Sequence, residues 1–201
     1  MDPTPIGEIL KQKALSPRPT SLTLQTTPTT YPFSTRGVPA RYGHWRLADY
    51  DPRLVARVVD WAANDLWSLF LTGAPGTHKS SFAAAICAGM DGAYFATPET
   101  SIRMIREFCD WWILQAKTCR LLVMDDLASY RATPHVHDTL LSILACRYDN
   151  FRKTIITSNA SLADIGKWLD LRLADRLREG MVLESGTTSR RPTGNEELKN
   201  V

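Results

Sequence analysis

The stretch Leu66–Ser81, LWSLFLTGAPGTHKSS, constrains the fold more than any other part of the chain. A mostly apolar run from Trp67 to Leu71 enters a turn with Gly73 and Gly76, and Lys79, Ser80 and the helix-forming run Ser81–Ala85 follow at once. That is a strand, a loop of phosphate size and a helix start. Glycines let successive backbone N–H groups curl inward at the positive end of the following helix, which makes a nest for anionic oxygens. The sequence therefore predicts a P-loop in which Gly73, Ala74, Pro75, Gly76, Thr77, His78, Lys79, Ser80 and Ser81 surround a nucleotide. Lys79 reaches the β- and γ-phosphates, and the Ser80 hydroxyl ligates Mg²⁺. In the pattern G-x-x-x-x-G-K-[ST], the second glycine falls where this chain has His78. A β-carbon there narrows the loop or shifts a phosphate, so the expectation is nucleotide binding with slow hydrolysis. The plainer alternative is a glycine-containing turn before a core helix.

The remaining chain supplies the parts that such a loop requires. Arg120–Asp126, RLLVMDD, reads as a buried parallel strand delivering two acids to its carboxyl end, with Asp125 in the Mg²⁺ shell and Asp126 polarising the attacking water. Lys153–Asn159, KTIITSN, reads as another buried strand, and Asn159 is a candidate for orienting that water. Met181–Glu184 is a last short strand, and Ala93–Ala96 another. Helices are expected over 52–64, 79–90, 134–148 and, in two pieces, 162–178. Thr97, Pro98 and Glu99 start a long helix expected to run to about Lys117, with Trp111, Trp112, Ile113 and Leu114 read as core. Arg176 lies where a nucleotide enzyme presents a finger to a neighbour's phosphate.

Residues 1–40 are rich in Thr, Pro and Ser, with one short helical possibility at Ile6–Leu15, and read either as a passive tail or as a partner-binding arm. Val38–Asp51 reads as an ordered lead-in that packs on the core. A net charge of +3 demands no polyanion. The four cysteines have no C-x-x-C pair, so reduced thiols are expected, and His135 with His137 lacks the further ligands of a metal site. No signal peptide or spanning apolar run is read, and a cytoplasmic protein is expected.

Taken together, VPARY (38–42), GAPGTHKS (73–80), LLVMDDL (121–127), RYDNFRKTIITSN (147–159), LADRL (173–177) and the SRR near the end resemble the AAA+ ATPases of the DnaC/IstB family. The resemblance runs from about Val38 to Arg191. It implies an α/β fold, a five-stranded parallel sheet in the order 5-1-4-3-2 flanked by helices, with minimal or no C-terminal lid. The corresponding division is an arm over 1–40, an ATPase domain over 41–186 and a polar tail over 187–201. Lys79 and Ser80 then form the Walker A pair, Asp125 and Asp126 the Walker B pair, Asn159 is sensor 1, Arg176 the arginine finger and Arg190 the sensor 2 arginine. His78 departs from the family glycine, Asp126 stands where many members have glutamate, and Ser189–Arg190 matches the family's S-Y-R loosely. The implied function is an ATP- and Mg²⁺-dependent helicase loader, a homo-oligomer that grips the replicative helicase through its arm and delivers it to single-stranded DNA. Two alternatives are an IstB-like transposition helper and a weakly hydrolysing scaffold.

Overall fold

The computed structural model describes residues 37–130 and 133–185. The expected helix at Ile6–Leu15, the arm up to residue 36, Arg190 and the question of a C-terminal lid lie outside those residues. Five parallel strands, β1 (Ser68–Thr72), β2 (Ala93–Ala96), β3 (Leu121–Met124), β4 (Lys153–Ser158) and β5 (Met181–Glu184), form one sheet in the order β2-β3-β4-β1-β5. Read from the other edge this is the expected 5-1-4-3-2. The inner strands are near-continuous apolar runs because parallel sheets are covered on both faces: β3 and β4 are buried along their whole length, whereas the edge strand β5 buries only Leu183.

Strand periodicity sorts the side chains into two cores. Leu69, Leu71, Leu121, Val123, Ile155 and Leu183 face one layer, with α1 (Pro52–Ala63), α2 (Lys79–Ala88) and the lead-in. Phe70, Leu122, Met124 and Ile156 face the other, built from α3 (Pro98–Arg106), α4 (Asp110–Thr118), α5 (Pro134–Asp149), α6 (Leu162–Trp168) and α7 (Leu171–Arg178). Helix starts follow capping chemistry: Asp51, Thr97 and Thr133 each accept from a backbone N–H of the first turn, ahead of Pro52, Pro98 and Pro134. The lead-in packs as expected, with Val38 and Leu47 buried in the first core and Tyr42, Trp45 and Tyr50 against it.

One expected element differs. The helix from Pro98 does not continue to Lys117 but breaks at Glu107–Cys109, where Phe108 has φ +50° and stacks its ring 4.7 Å from that of His135. The break lets Ile105, from α3, and Trp112, from α4, enter the same core. Trp112 donates its indole N–H to the Tyr94 hydroxyl at 3.0 Å. It also divides the aromatic cluster that was read as core: Trp112 is buried, whereas Trp111 is 67% and Leu114 60% exposed.

Candidate functional site

Because all strands are parallel, their carboxyl ends meet at one edge of the sheet, the edge where open α/β sheets bind ligands. β1 runs into the loop Gly73–His78 and then α2; β3 runs into Asp125 and Asp126; β4, lying between them, runs into Asn159. A cleft of about 820 Å³ lies over this edge, lined by Pro75–Ser81, Asp125, Asp126 and Asn159. Its opposite wall comes from the lead-in and from the start of α3, including Arg41, Thr97 and Glu99.

Within the loop, Gly73 has φ +139° and Gly76 φ +84°. Gly73 also admits no side chain, since a Cβ would lie 2.3 Å from the Ser185 hydroxyl oxygen. Ser185 crosses here because it continues the β5 pairing: its N–H donates to Thr72 O at 2.7 Å, and its hydroxyl lies 2.7 Å from that of Thr77. Lys79 Nζ donates to Gly73 O and Ala74 O, both at 2.8 Å, so the ammonium lies folded against the loop and would swing to meet a phosphate. His78 takes φ +61°, ψ +21°, the left-handed conformation in which its pattern position favours glycine. A non-glycine residue held there costs on the order of 1 kcal/mol. The β-carbon therefore does not abolish the loop geometry. Its ring points toward the lead-in, 5.0 Å edge-on from Trp45.

Asp125 is 4% exposed, and burial pushes its carboxyl above the ordinary aspartate range, partly offset by hydrogen bonds from Ser80 and Thr157. The Thr157 hydroxyl donates to Asp125 Oδ1 at 2.7 Å and accepts the Asp126 N–H at 2.8 Å, so one β4 residue holds both acids. Asp126 is aimed by a left-handed backbone (φ +45°), by the Ser129 hydroxyl and by Asn159 Nδ2 at 3.3 Å. Ser80 and Asp125 offer hard oxygens side by side, which fits Mg²⁺, a cation that takes one or two carboxylates and completes its shell from phosphates and water. Among the described residues no group of three or more His, Cys, Asp and Glu gathers for any other metal.

The structure thus brings together Gly73–Ser81, Asp125, Asp126 and Asn159. Arg176 is elsewhere. Its carbonyl accepts the Trp67 indole N–H at 2.8 Å, at the amino end of β1, and its guanidinium lies 4.4 Å over the Tyr148 ring. Sequence reasoning assigned no role to two contributors. Thr157 is visible in KTIITSN only once the register with β3 is known. Arg41, whose charge favours the ionised Asp125, sits within VPARY, a segment that had been noted as a packed lead-in and for its family likeness. A second cavity, about 490 Å³, lies behind the loop against Trp45, Tyr50, Leu54, Phe82 and Leu183, and shares Trp45, Thr77, His78 and Lys79 with the cleft.

No protein-family model and no curated protein sequence matches the chain. Solved structures do. The DnaC helicase loader superposes with a TM-score of 0.63 at 24% identity, covering 74% of this chain and 100% of that one. DnaI superposes at 0.62 and 19% identity, covering 76% and 94%. The replication initiator DnaA, solved with AMPPCP and single-stranded DNA, superposes at 0.63 and 17% identity over 75% of this chain and 51% of its own. In fold, the chain is thus similar to these proteins: a five-stranded parallel sheet flanked by helices, with a phosphate-loop-like turn after β1. Among the described residues no helix is long and apolar enough to cross a membrane.

Proposed function

We propose that this chain is an ATP-dependent helicase loader. The observation that carries the nucleotide reading is the convergence of the loop, Lys79, Ser80, Asp125, Asp126 and Asn159 on one cleft at the carboxyl edge of the sheet. The loader reading is supported by the likeness to the DnaC helicase loader, which this chain matches over that structure's full length. The loop N–H groups and Lys79 would hold the triphosphate, and Trp45 and Tyr50 in the 490 Å³ cavity would offer a wall for the base. Ser80 and Asp125 would hold Mg²⁺, which would supply charge neutralisation at the phosphate oxygens. Asp126, steadied by Asn159 and Ser129, orients the attacking water. Arg190 follows as the sensor 2 arginine.

Arg176 acts on a nucleotide bound by a neighbouring copy, because within its own chain the full length of β1 separates it from the loop. ATP thereby controls assembly of a homo-oligomer around single-stranded DNA, while residues 1–40 grip the replicative helicase in the cytoplasm. The test is an ATP-dependent capture from host lysate using the full chain and a Lys79→Ala variant, with proteins identified by mass. The replicative helicase recovered by the first and not the second is expected. Recovery of a transposase instead, or unchanged ATP affinity in Lys79→Ala, overturns the reading.

A further inference from the structure

The nucleotide reading leaves the His78 side chain without a task. Its ring faces the lead-in. His78, the cap before α2, and Phe82 are one turn apart, and two lead-in rings bridge them: Trp45 lies 5.0 Å from His78 and 5.8 Å from Tyr50, and Tyr50 lies 4.6 Å from Phe82. The four rings close a circuit between the lead-in and the start of α2. A hydroxyl fixes the imidazole within it. Ser81 Oγ donates to His78 O at 3.0 Å and lies 3.3 Å from Nδ1, so with its own proton on the carbonyl it accepts Nδ1–H. Trp45 and His78 line both the cleft over the loop and the cavity behind it, and they stand where the two meet. A glycine at 78 opens the circuit.

We propose that His78 is a positioning residue whose ring clamps the lead-in to the phosphate loop, so that the wall for the base and the cradle for the phosphates are assembled as one unit before nucleotide arrives. This rests on the nucleotide reading above. It also gives the departure at 78 a second consequence: beside the slow hydrolysis expected there, the histidine strengthens binding of a complete nucleotide. A ligand that lacks a base has no use for the clamp.

The test compares the full-length protein with His78→Gly, His78→Asn, Trp45→Leu and the double variant His78→Gly/Trp45→Leu, measuring affinity for a fluorescent ATP analogue and for inorganic tripolyphosphate. Asparagine tolerates the left-handed backbone but has no ring, so it separates the conformational effect from the clamp. Each single variant is expected to weaken the ATP analogue about three- to tenfold, the range one edge-on aromatic pair supports. The double variant is expected to be no weaker than the weaker single one, and tripolyphosphate affinity to change less than about twofold, since it meets only the cradle. Unchanged or tighter ATP binding in His78→Gly, or single effects that multiply in the double variant, overturns the clamp. If the unaltered protein binds neither ligand, it is the nucleotide reading that fails. The clamp is then judged by the same variants in urea unfolding, where non-additive losses are expected and additive losses refute it.

Discussion

Arg147 offers the sharpest test of how this fold is held together. Its side chain is wholly buried between α5, α4 and β4, donating to Thr154 Oγ1 at 2.8 Å, Ala116 O at 2.9 Å, Cys119 O at 3.0 Å and Lys153 O at 2.5 Å. None of these partners is a carboxylate. Burial lowers the guanidinium to about 10, so it stays charged at neutral pH. Replacing it by Met keeps most of the volume and takes this donor from three carbonyls, whereas Thr154 Oγ1 keeps its bond to Arg152 O at 3.0 Å. At about 2 kcal/mol for each buried group left unpaired, the gross loss is about 6 kcal/mol. Against this, methionine does not carry the burial cost of the charge, about 3 kcal/mol at 1.36 kcal/mol per pKa unit. Arg147→Met should therefore destabilise by about 3 kcal/mol, or about 6–12 °C in Tm for a chain of this size. Urea unfolding followed by both circular dichroism and tryptophan emission measures it, with an unchanged m-value expected. A loss below about 1 kcal/mol would refute the accounting and mean that water or a shifted loop satisfies those carbonyls.

Further outcomes follow from the geometry. Arg176→Ala should leave ATP affinity of the monomer within about twofold while weakening ATP-dependent assembly in sedimentation; normal assembly removes it from the finger role. Gly73→Ala, forced against Ser185 at a positive φ, should lower ATP affinity at least about tenfold and stability by about 1–3 kcal/mol, measured by titration and thermal melting. The adjacent tryptophans should separate: Trp112→Ser costs about 3–5 kcal/mol in urea unfolding, whereas the exposed Trp111→Ser stays within about 0.5 kcal/mol. Lys153, lowered by burial from 10.5 to about 8, releases its proton earlier in the folded chain than in the unfolded one. Between those values the unfolded state binds more protons, so the native protein should gain stability over Lys153→Met as pH rises from 8 to 10.5. A shrinking advantage would contradict the assignment.

The sheet was legible because buried parallel strands leave an unbroken apolar signature, and LLVM runs into Asp125 and Asp126 as KTIITS runs into Asn159. That Pro75–Ser81, Asp125, Asp126 and Asn159 gather at one cleft was legible by residue type and spacing. The break at Phe108 was not, because neither glycine nor proline marks it and a phenylalanine occupies the left-handed region. Arg147 and Lys153 also escaped notice. Charge ordinarily signals a solvated face, yet Lys153 Nζ caps the carbonyl end of α1 at Trp61 O and Asn64 O and reaches Leu66 O, so RYDNFRK is in large part core architecture. Thr157 and Arg41 became visible only through tertiary pairing, which no spacing rule encodes.

Ser185 gives the loop an outlet. Its hydroxyl touches Thr77 and donates to Thr72 O at 2.9 Å, which makes the last residue of the described fold a direct neighbour of the phosphate cradle. A ligand that moved Thr77 would therefore be felt at Ser185, and a dye attached at that serine would act as a gauge of the loop as well as a label.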